Sequence, residues 1–244
     1  MRRWMRIGLA SAVIVTLTSG FTVQPVKKTR QYYEAHRDIV WEVPMKEKLI
    51  ALTFDDGPNP RTTPQILDLL AENEAKATFF VVGKRVERFP EIVRREAMEG
   101  HEVANHTYSH SYYTRGFSPK KLVEELDRTQ AKIDDLTGWH CQWFRPPGGF
   151  YDDKVIDTVR SKGYTVILWS WHQDTKDWLA PGADRIVNKV LKNARNGDIV
   201  LLHDHVDGSV QTVQALRTIL PELRRRGYKM VTVSELLRHK TPKS

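Results

Sequence analysis

The chain has 244 residues, long enough for one large globular domain, and its 40% hydrophobic and 28% charged content does not fit a multi-span membrane protein or a disordered chain. Its formal net charge is +8, and a basic balance favours polyanionic partners such as an acidic cell wall, anionic lipid or nucleic acid. The basic residues are scattered, without a basic helix interleaved with aromatic side chains, so we predict no nucleic-acid binding.

The N-terminal segment, residues 1–26, has the pattern of an export signal. Arg2, Arg3 and Arg6 precede an uncharged stretch of about 20 residues, which is typical of a secretory signal peptide or an N-terminal membrane anchor. No clean Ala-x-Ala site follows, so cleavage and membrane association both stay open. Either outcome predicts an exported protein, in the cell wall or tethered to the outer face of the membrane. Residues 27–47 lack sustained periodicity and are predicted to be a linker.

From residue 48 to residue 240, short apolar runs alternate with amphipathic segments, which predicts strands and helices in turn. The predicted strands cover 49–54, 77–82, 101–104, 143–144, 164–169, 198–202 and 228–231. The predicted helices begin near residues 63, 90, 118, 152, 183, 210 and 234. About seven strand–helix units favour a parallel sheet with outer helices, and at this length a distorted (β/α) barrel. No Gly-x-Gly-x-x-Gly follows the first strand, which disfavours an open dinucleotide-binding sheet. Residues 241–244 are predicted to be a tail.

Polar clusters follow five of the predicted strands. They are Asp55-Asp56-Gly57-Pro58, His106-Thr107-Tyr108-Ser109-His110, Arg145-Pro146-Pro147-Gly148-Gly149, Asp174-Thr175-Lys176-Asp177-Trp178, and His203 after Leu201-Leu202. Taken singly, each cluster also fits a turn, a helix cap or a core histidine. Because the carboxyl ends of parallel strands meet at one edge of the sheet, we expect these side chains to converge.

Two histidines and one aspartate of these clusters have the composition of a metal site. His106 and His110 are spaced i, i+4, which suits two imidazoles on one cation if the segment is helical. The adjacent Asp55 and Asp56 can divide metal binding and proton transfer between them, since side chains alternate along an extended chain. The single cysteine, Cys141, excludes a thiolate-rich site. Three ligands with room for water are typical of a catalytic zinc site.

Together and in this order, the five clusters closely resemble the motifs of the polysaccharide deacetylases with a NodB homology domain, carbohydrate esterase family 4. The resemblance runs from about residue 48 to residue 237 and implies a distorted (β/α) barrel of about seven parallel strands. It also implies metal-dependent hydrolysis of N-acetyl groups on N-acetylglucosamine residues of cell-wall peptidoglycan, with release of acetate. The implied cofactor is Zn²⁺, with Co²⁺ or another divalent metal as alternatives. The implied partner is the cell-wall glycan, and we expect a monomer.

The resemblance also implies a role for each residue that matches a motif. The implied catalytic group comprises Asp55 as base, Arg145 holding that base, His203 as acid, and Asp174 or Asp177 tuning the acid. The implied metal ligands are Asp56, His106 and His110. Trp178 and Leu201 resemble the walls of the acetyl pocket. Gly148 stands where the family usually has tyrosine: glycine keeps the backbone N–H that stabilises the oxyanion, and Phe150 or Tyr151 is the candidate to replace the ring.

Several functions on this fold remain open from the sequence. The Asp-x-x-Asp-Trp spacing of the fourth cluster favours N-acetylglucosamine over N-acetylmuramic acid. A chitooligosaccharide deacetylase and an acetylxylan esterase are alternatives within the same chemistry. A catalytically silent wall-binding protein is the alternative from another class, and the presence of every ligand and acid–base candidate argues against it.

Overall fold

A computed structural model describes residues 28–239 apart from Arg37 and Arg115. The predicted export segment, residues 1–26, and the predicted tail, residues 241–244, lie outside the described residues. Among the helices of the described ranges, none combines the length and the apolar character that a membrane crossing needs.

The described residues contain eight strands, which all pair in parallel within one curled sheet. They are β1 (Ile39–Val40), β2 (Leu49–Asp55), β3 (Ala77–Val81), β4 (Glu102–Asn105), β5 (Trp143–Phe144), β6 (Thr165–Ile167), β7 (Ile199–His203) and β8 (Lys229–Met230). Seven of them follow one path in the order β1-β6-β5-β4-β3-β2-β7, and β8 pairs with the beginning of β2. Within the described chain, the two ends of this path are linked by a single bridge between Glu42 and Asp198 rather than by a strand ladder. The predicted distorted barrel of about seven parallel strands is confirmed.

Helices connect the strands and cover the outside of the sheet. In the described ranges they are α1 (Arg30–His36), α2 (Thr63–Glu72), α3 (Gly83–Arg88), α4 (Pro90–Met98), α5 (Pro119–Thr137), α6 (Asp153–Ser161), α7 (Ala183–Asn193), α8 (Gln211–Arg225) and α9 (Val233–Arg238). Prolines stand in the first turn of α2, α4 and α5, where a missing backbone N–H costs nothing. Asp152 caps α6 by accepting a hydrogen bond from the Val155 N–H.

The core explains why β2 is the longest strand of the described sheet. All seven residues of β2 are buried, as expected for a parallel strand with both faces covered. The largest apolar cluster joins this strand to the inner faces of α2, α7 and α8, through residues such as Phe54, Leu67, Val190 and Leu216. The buried strands therefore present their carboxyl ends along one rigid edge, where the candidate site lies.

The structure differs from the sequence prediction at residues 27–47, which are not a free linker over their described part. Tyr33 and Ile39 are buried, and Ile39 pairs with Val166 of β6. The Val43 N–H donates to the Gly197 carbonyl oxygen over 2.9 Å. This segment contacts the core through single aromatic and branched side chains, and such contacts leave no periodic pattern in the sequence.

Candidate active site

The five polar clusters meet at the carboxyl ends of the strands, around a cavity of about 360 Å³. The cavity is lined by Asp55, Asp56, His106, His110, Tyr112, Gly148, Gly149, Phe150, Trp169, Asp174, Trp178, Leu201 and His203. Of the residues to which the sequence assigned a catalytic, metal-binding or substrate-binding role, Arg145 and Asp177 do not line it, and both are buried. The structure thus brings together all five clusters, which the sequence separates by up to about 150 residues.

The backbone sends the two adjacent carboxylates in different directions. Asp55 is the last residue of β2 and stands in register with His203, the last residue of β7. Asp56 follows with φ of 74°, in the left-handed region that an aspartate seldom adopts, so the chain leaves the sheet direction at this residue. Asp55 is consequently fixed by the sheet, whereas Asp56 turns towards the two histidines.

Asp56, His106 and His110 place three donor atoms close together. Asp56 Oδ1 lies 2.9 Å from His110 Nε2 and 3.3 Å from His106 Nε2. The histidine segment is a loop with left-handed residues at Thr107 and His110, so the two imidazoles converge without the helix that was the condition of the i, i+4 argument. His106 Nδ1 donates to the Arg145 carbonyl oxygen over 2.7 Å, which leaves the lone pair of Nε2 facing Asp56.

These donors fit a divalent metal ion. Asp56 Oδ1 is buried and has no partner with hydrogen-bond geometry, although two imidazole nitrogens are near it. A buried carboxylate oxygen without a hydrogen bond is costly, and a shared cation would satisfy it. Two imidazoles and one carboxylate are a ligand set that zinc accepts in catalytic sites.

Arg145 holds Asp55 from behind the cavity. Its Nη1 donates to Asp55 Oδ1 over 2.7 Å, and its Nε and Nη2 donate to the carbonyl oxygens of Ile167 and Leu168, each over 2.9 Å. With Oδ1 engaged by the guanidinium, the other oxygen, Oδ2, lies on the side of His106, 3.9 Å from its Nε2. One oxygen of Asp55 is therefore anchored and the other faces the metal-ligand candidates.

His203 pairs with Asp177, and not with Asp174. Its Nδ1 lies 2.7 Å from Asp177 Oδ1, and its backbone N–H donates to Asp177 Oδ2 over 2.8 Å. Burial opposes the charged imidazolium, but the contact with Asp177, aided by Asp55 and Asp56, outweighs it and raises the pKa of His203 to about 9. Asp174 lines the cavity, and its carboxylate accepts from the Lys176 N–H in its own turn.

Aromatic side chains form much of the cavity wall. Trp178 is 54% exposed at the rim, and Leu201 is buried at the bottom of the same cavity. Gly148 has φ of 65°, and a Cβ there would lie 2.8 Å from the rings of Phe150 and Tyr112. Those two rings therefore occupy the space beside the glycine that replaces the usual tyrosine.

The sequence indicates Phe150 and Tyr151 as the two candidates to replace the ring of that tyrosine, and the structure adds Tyr112. Of the two, Phe150 lines the cavity, whereas Tyr151 packs edge-on against Tyr33 and Trp41 elsewhere. Tyr112 was missed, although its position two residues after His110 was the available signal. Its ring meets that of His110 edge to face, with the ring centroids 5.5 Å apart.

Comparisons with known proteins agree with this geometry. Residues 42–167 match the family model described as polysaccharide deacetylase. A peptidoglycan-N-acetylglucosamine deacetylase of Bacillus cereus is 52% identical over 202 residues, which cover 83% of this chain and 94% of that protein. The peptidoglycan-N-acetylmuramic acid deacetylase PdaC of Bacillus subtilis is 40% identical over 190 residues, covering 78% of this chain and 39% of that protein.

A solved structure of a deacetylase has the same fold as this chain. The peptidoglycan N-acetylglucosamine deacetylase Bc1960, crystallised with 4-naphthalen-1-yl-N-oxidanyl-benzamide, superposes with a TM-score of 0.79 at 33% sequence identity. The superposition covers 86% of this chain and 98% of that one. The chain belongs to the polysaccharide deacetylases, the hydrolases of carbohydrate esterase family 4.

Proposed function

We propose that this protein is a metal-dependent deacetylase that hydrolyses the N-acetyl group of N-acetylglucosamine residues in peptidoglycan. The observation that carries the proposal is the grouping of Asp56, His106 and His110, whose ligand atoms all lie within 4.8 Å of one another. Beside them stand an anchored carboxylate, Asp55, and a protonated imidazole, His203.

Asp56, His106 and His110 would hold the metal, for which Zn²⁺ is our proposal and Co²⁺ or another divalent ion the alternative. When bound, such an ion acts as a Lewis acid that polarises the acetyl carbonyl and makes water more acidic. The compound crystallised with Bc1960 is an N-hydroxy amide, a group that chelates divalent cations, and this supports the proposal of a metal.

Asp55 is the proposed general base. Its Oδ1 is held by Arg145, so the carboxylate cannot rotate away, and its Oδ2 is positioned to take a proton from the attacking water. Proton transfer by a positioned carboxylate is worth roughly 10²–10⁴-fold in rate. Arg145 positions the base and does not touch the substrate, since it is completely buried.

His203 is the proposed general acid. The leaving amine must gain a proton when the C–N bond breaks, and an imidazolium with a pKa near 9 is protonated at neutral pH. Since Nδ1 is engaged by Asp177, the Nε2 proton is the one available to the amine. We propose Trp178 and Leu201 as walls for the acetyl methyl group, and a backbone N–H at or next to Gly148 as the donor to the oxyanion.

The preference for N-acetylglucosamine rests on the Asp174-x-x-Asp177-Trp178 motif and on the relatives that carry that name. The relative PdaC is named for N-acetylmuramic acid, so the sugar is part of the proposal. We further propose that the protein is exported and acts at the cell wall, through the arginine-led apolar segment at residues 1–26.

Acetate release from purified peptidoglycan, with and without a chelator, tests this function. We expect release that stops with the chelator and returns when Zn²⁺ is added back. Mass spectrometry of the products should place the free amine on glucosamine. Chitotetraose and acetylxylan serve as competing substrates, and a preference for xylan esters would contradict amide hydrolysis. Tight glycan binding without acetate release, metal supplied, would instead favour a silent wall-binding protein.

A further inference from the structure

A second cavity, of about 480 Å³, adjoins the active site on the side of the metal-ligand candidates. Asp56 and His110 line both cavities, which places the second directly beside the first. The second cavity is also lined by His205 and by three basic side chains of α3, those of Lys84, Arg85 and Arg88. We call this second cavity the basic pocket.

Among the described residues, the three cations of the basic pocket are not ion-paired with a carboxylate. Lys84 and Arg88 are exposed, and Arg85 is half-buried with its guanidinium against His205 Nε2. Within the described residues, no Asp or Glu side chain forms an ion pair with any of these three. Glu87, on the same helix, is engaged elsewhere, where it accepts from the Tyr108 hydroxyl over 2.7 Å.

Three aspartates lie near Arg85. Asp56 faces His106 and His110, and Asp207 contacts His205 at 3.2 Å. Asp204 is buried and accepts a hydrogen bond from the Thr63 hydroxyl. Lys84, Arg85 and Arg88 form no ion pair within the described ranges and repel one another, and such a cluster lowers its energy by binding an anion. Guanidinium groups suit a planar carboxylate in particular, because they can donate two parallel hydrogen bonds.

Peptidoglycan supplies such an anion one sugar away from the proposed reaction. In its strands N-acetylglucosamine alternates with N-acetylmuramic acid, whose lactyl group carries a carboxylate or an acidic peptide. Chitin and xylan backbones carry no carboxylate at the corresponding position. The free lactyl group and the attached peptide both present a carboxylate. This carboxylate distinguishes peptidoglycan from neutral glycans.

We propose that the basic pocket binds a carboxylate of the neighbouring muramic acid unit while the acetyl group of N-acetylglucosamine lies in the active-site cavity. This inference rests on the proposed function and makes α3 a determinant of specificity for peptidoglycan over neutral glycans.

The test compares kcat/KM on three substrates for the full, metal-loaded enzyme. They are GlcNAc–MurNAc oligosaccharides stripped of peptide, the same strands with peptides attached, and chitotetraose. The variant is Lys84→Gln with Arg88→Gln. The matched control is Arg185→Gln with Lys192→Gln, two exposed cations of α7 that line neither cavity and make the same change in net charge.

Relative to chitotetraose, we expect the pocket variant to lower kcat/KM on both wall substrates by roughly 3- to 10-fold, as for two exposed ion pairs, and the control to leave the ratios unchanged. A fall only on the peptide-bearing strands would support the pocket and assign the carboxylate to the peptide. Ratios unchanged in the pocket variant, or lowered equally in the control, would overturn the inference.

Failure of the proposed function has a different signature. In that case the wild-type enzyme releases no acetate from either wall substrate. Calorimetric binding of the peptide-free oligosaccharide to wild type and to the pocket variant then still decides the question. Equal affinities would overturn the pocket, and weaker binding by the variant alone would support it.

Discussion

Arg145 and Asp55 form a buried ion pair in which the guanidinium donates to Oδ1 over 2.7 Å, with exposures of 0% and 4%. The guanidinium is held in turn by Thr53 Oγ1 and by two carbonyl oxygens, those of Ile167 and Leu168. The guanidinium nitrogens thus donate to atoms of β2, of β6 and of the residue directly after β6. The carboxylate therefore has one orientation, which a base that must meet a bound water requires.

Replacing Asp55 by asparagine should abolish turnover and leave metal binding intact. Asparagine keeps an oxygen for Arg145 but cannot accept a proton from water, so acetate release should fall by at least roughly 10²-fold. Metal content, measured by mass spectrometry of the purified protein, should stay near the wild-type value. The control is Asp135→Asn, an exposed aspartate on α5. Loss of metal in the Asp55 variant would mean that the roles of Asp55 and Asp56 are interchanged.

Replacing Arg145 by lysine should destabilise the fold as well as the site. An ammonium group cannot reach Asp55 and both carbonyl oxygens at once, so buried acceptors lose their partners. Breaking a buried pair in this way costs about 3–5 kcal/mol of unfolding free energy. Urea denaturation measures this loss of unfolding free energy. The comparison is Asp55→Asn, for which we expect a smaller loss. A lysine variant within about 1 kcal/mol of wild type would show that the site tolerates the change.

Replacing Asp177 by asparagine should move the alkaline limb of the pH–rate profile. His203 must be protonated to serve as an acid, and its protonated fraction falls as the pH rises through its pKa of about 9. Without the Asp177 charge that pKa falls, so the limb should shift to lower pH while activity near pH 6 changes least. The profile of kcat/KM from pH 5 to pH 10 measures this. An unshifted limb would exclude His203 as the acid.

The sequence predicts β2 and β7 well because almost every residue of these strands is buried. The apolar runs of β2 and β7 have both faces covered, so hydrophobicity alone locates them. Helix α3 was missed, since among its six residues Val86 is the one apolar side chain and charged residues surround it. Where a segment contacts the core through single side chains, its apolar residues do not recur with the period of a helix or a strand.

The sequence predicts which residues form the site, but not which aspartate pairs with His203. The strand-end rule brings Asp56, His106 and His110 to one edge without any knowledge of the loops. The choice between Asp174 and Asp177 depends on the turn between them, where Lys176 has a left-handed φ of 52°. Such a loop conformation is set by tertiary contacts, so spacing could not identify the partner of His203.

The stability of the fold should fall with rising pH because of Asp204, which lies next to His203 in the chain. Burial raises the pKa of Asp204 to about 7, against the opposing hydrogen bond from Thr63, and its Oδ1 has no partner. The folded protein holds this proton between about pH 4 and pH 7, where the unfolded chain has released it. The stability contributed by the neutral carboxyl is therefore complete below about pH 4 and lost as the pH rises through 7.

The variant Asp204→Asn removes this titration. Unfolding free energies from urea denaturation between pH 5 and pH 8 should fall less steeply for the variant than for wild type. Because other buried groups titrate equally in both proteins, the difference isolates Asp204. Parallel curves for the two proteins would mean that this carboxyl is already ionised in the folded state.

Restoring the usual tyrosine of the third motif at Gly148 should impair the enzyme. A side chain at φ of 65° costs on the order of 1–2 kcal/mol, and its Cβ would lie within 3 Å of the rings of Phe150 and Tyr112. We expect Gly148→Tyr to lower the unfolding free energy and kcat/KM together. The double variant with Phe150→Ala opens that space, so kcat/KM should partly recover while the backbone cost stays. Equal kcat/KM for the single and double variants would show that the rings of Phe150 and tyrosine do not compete for one volume.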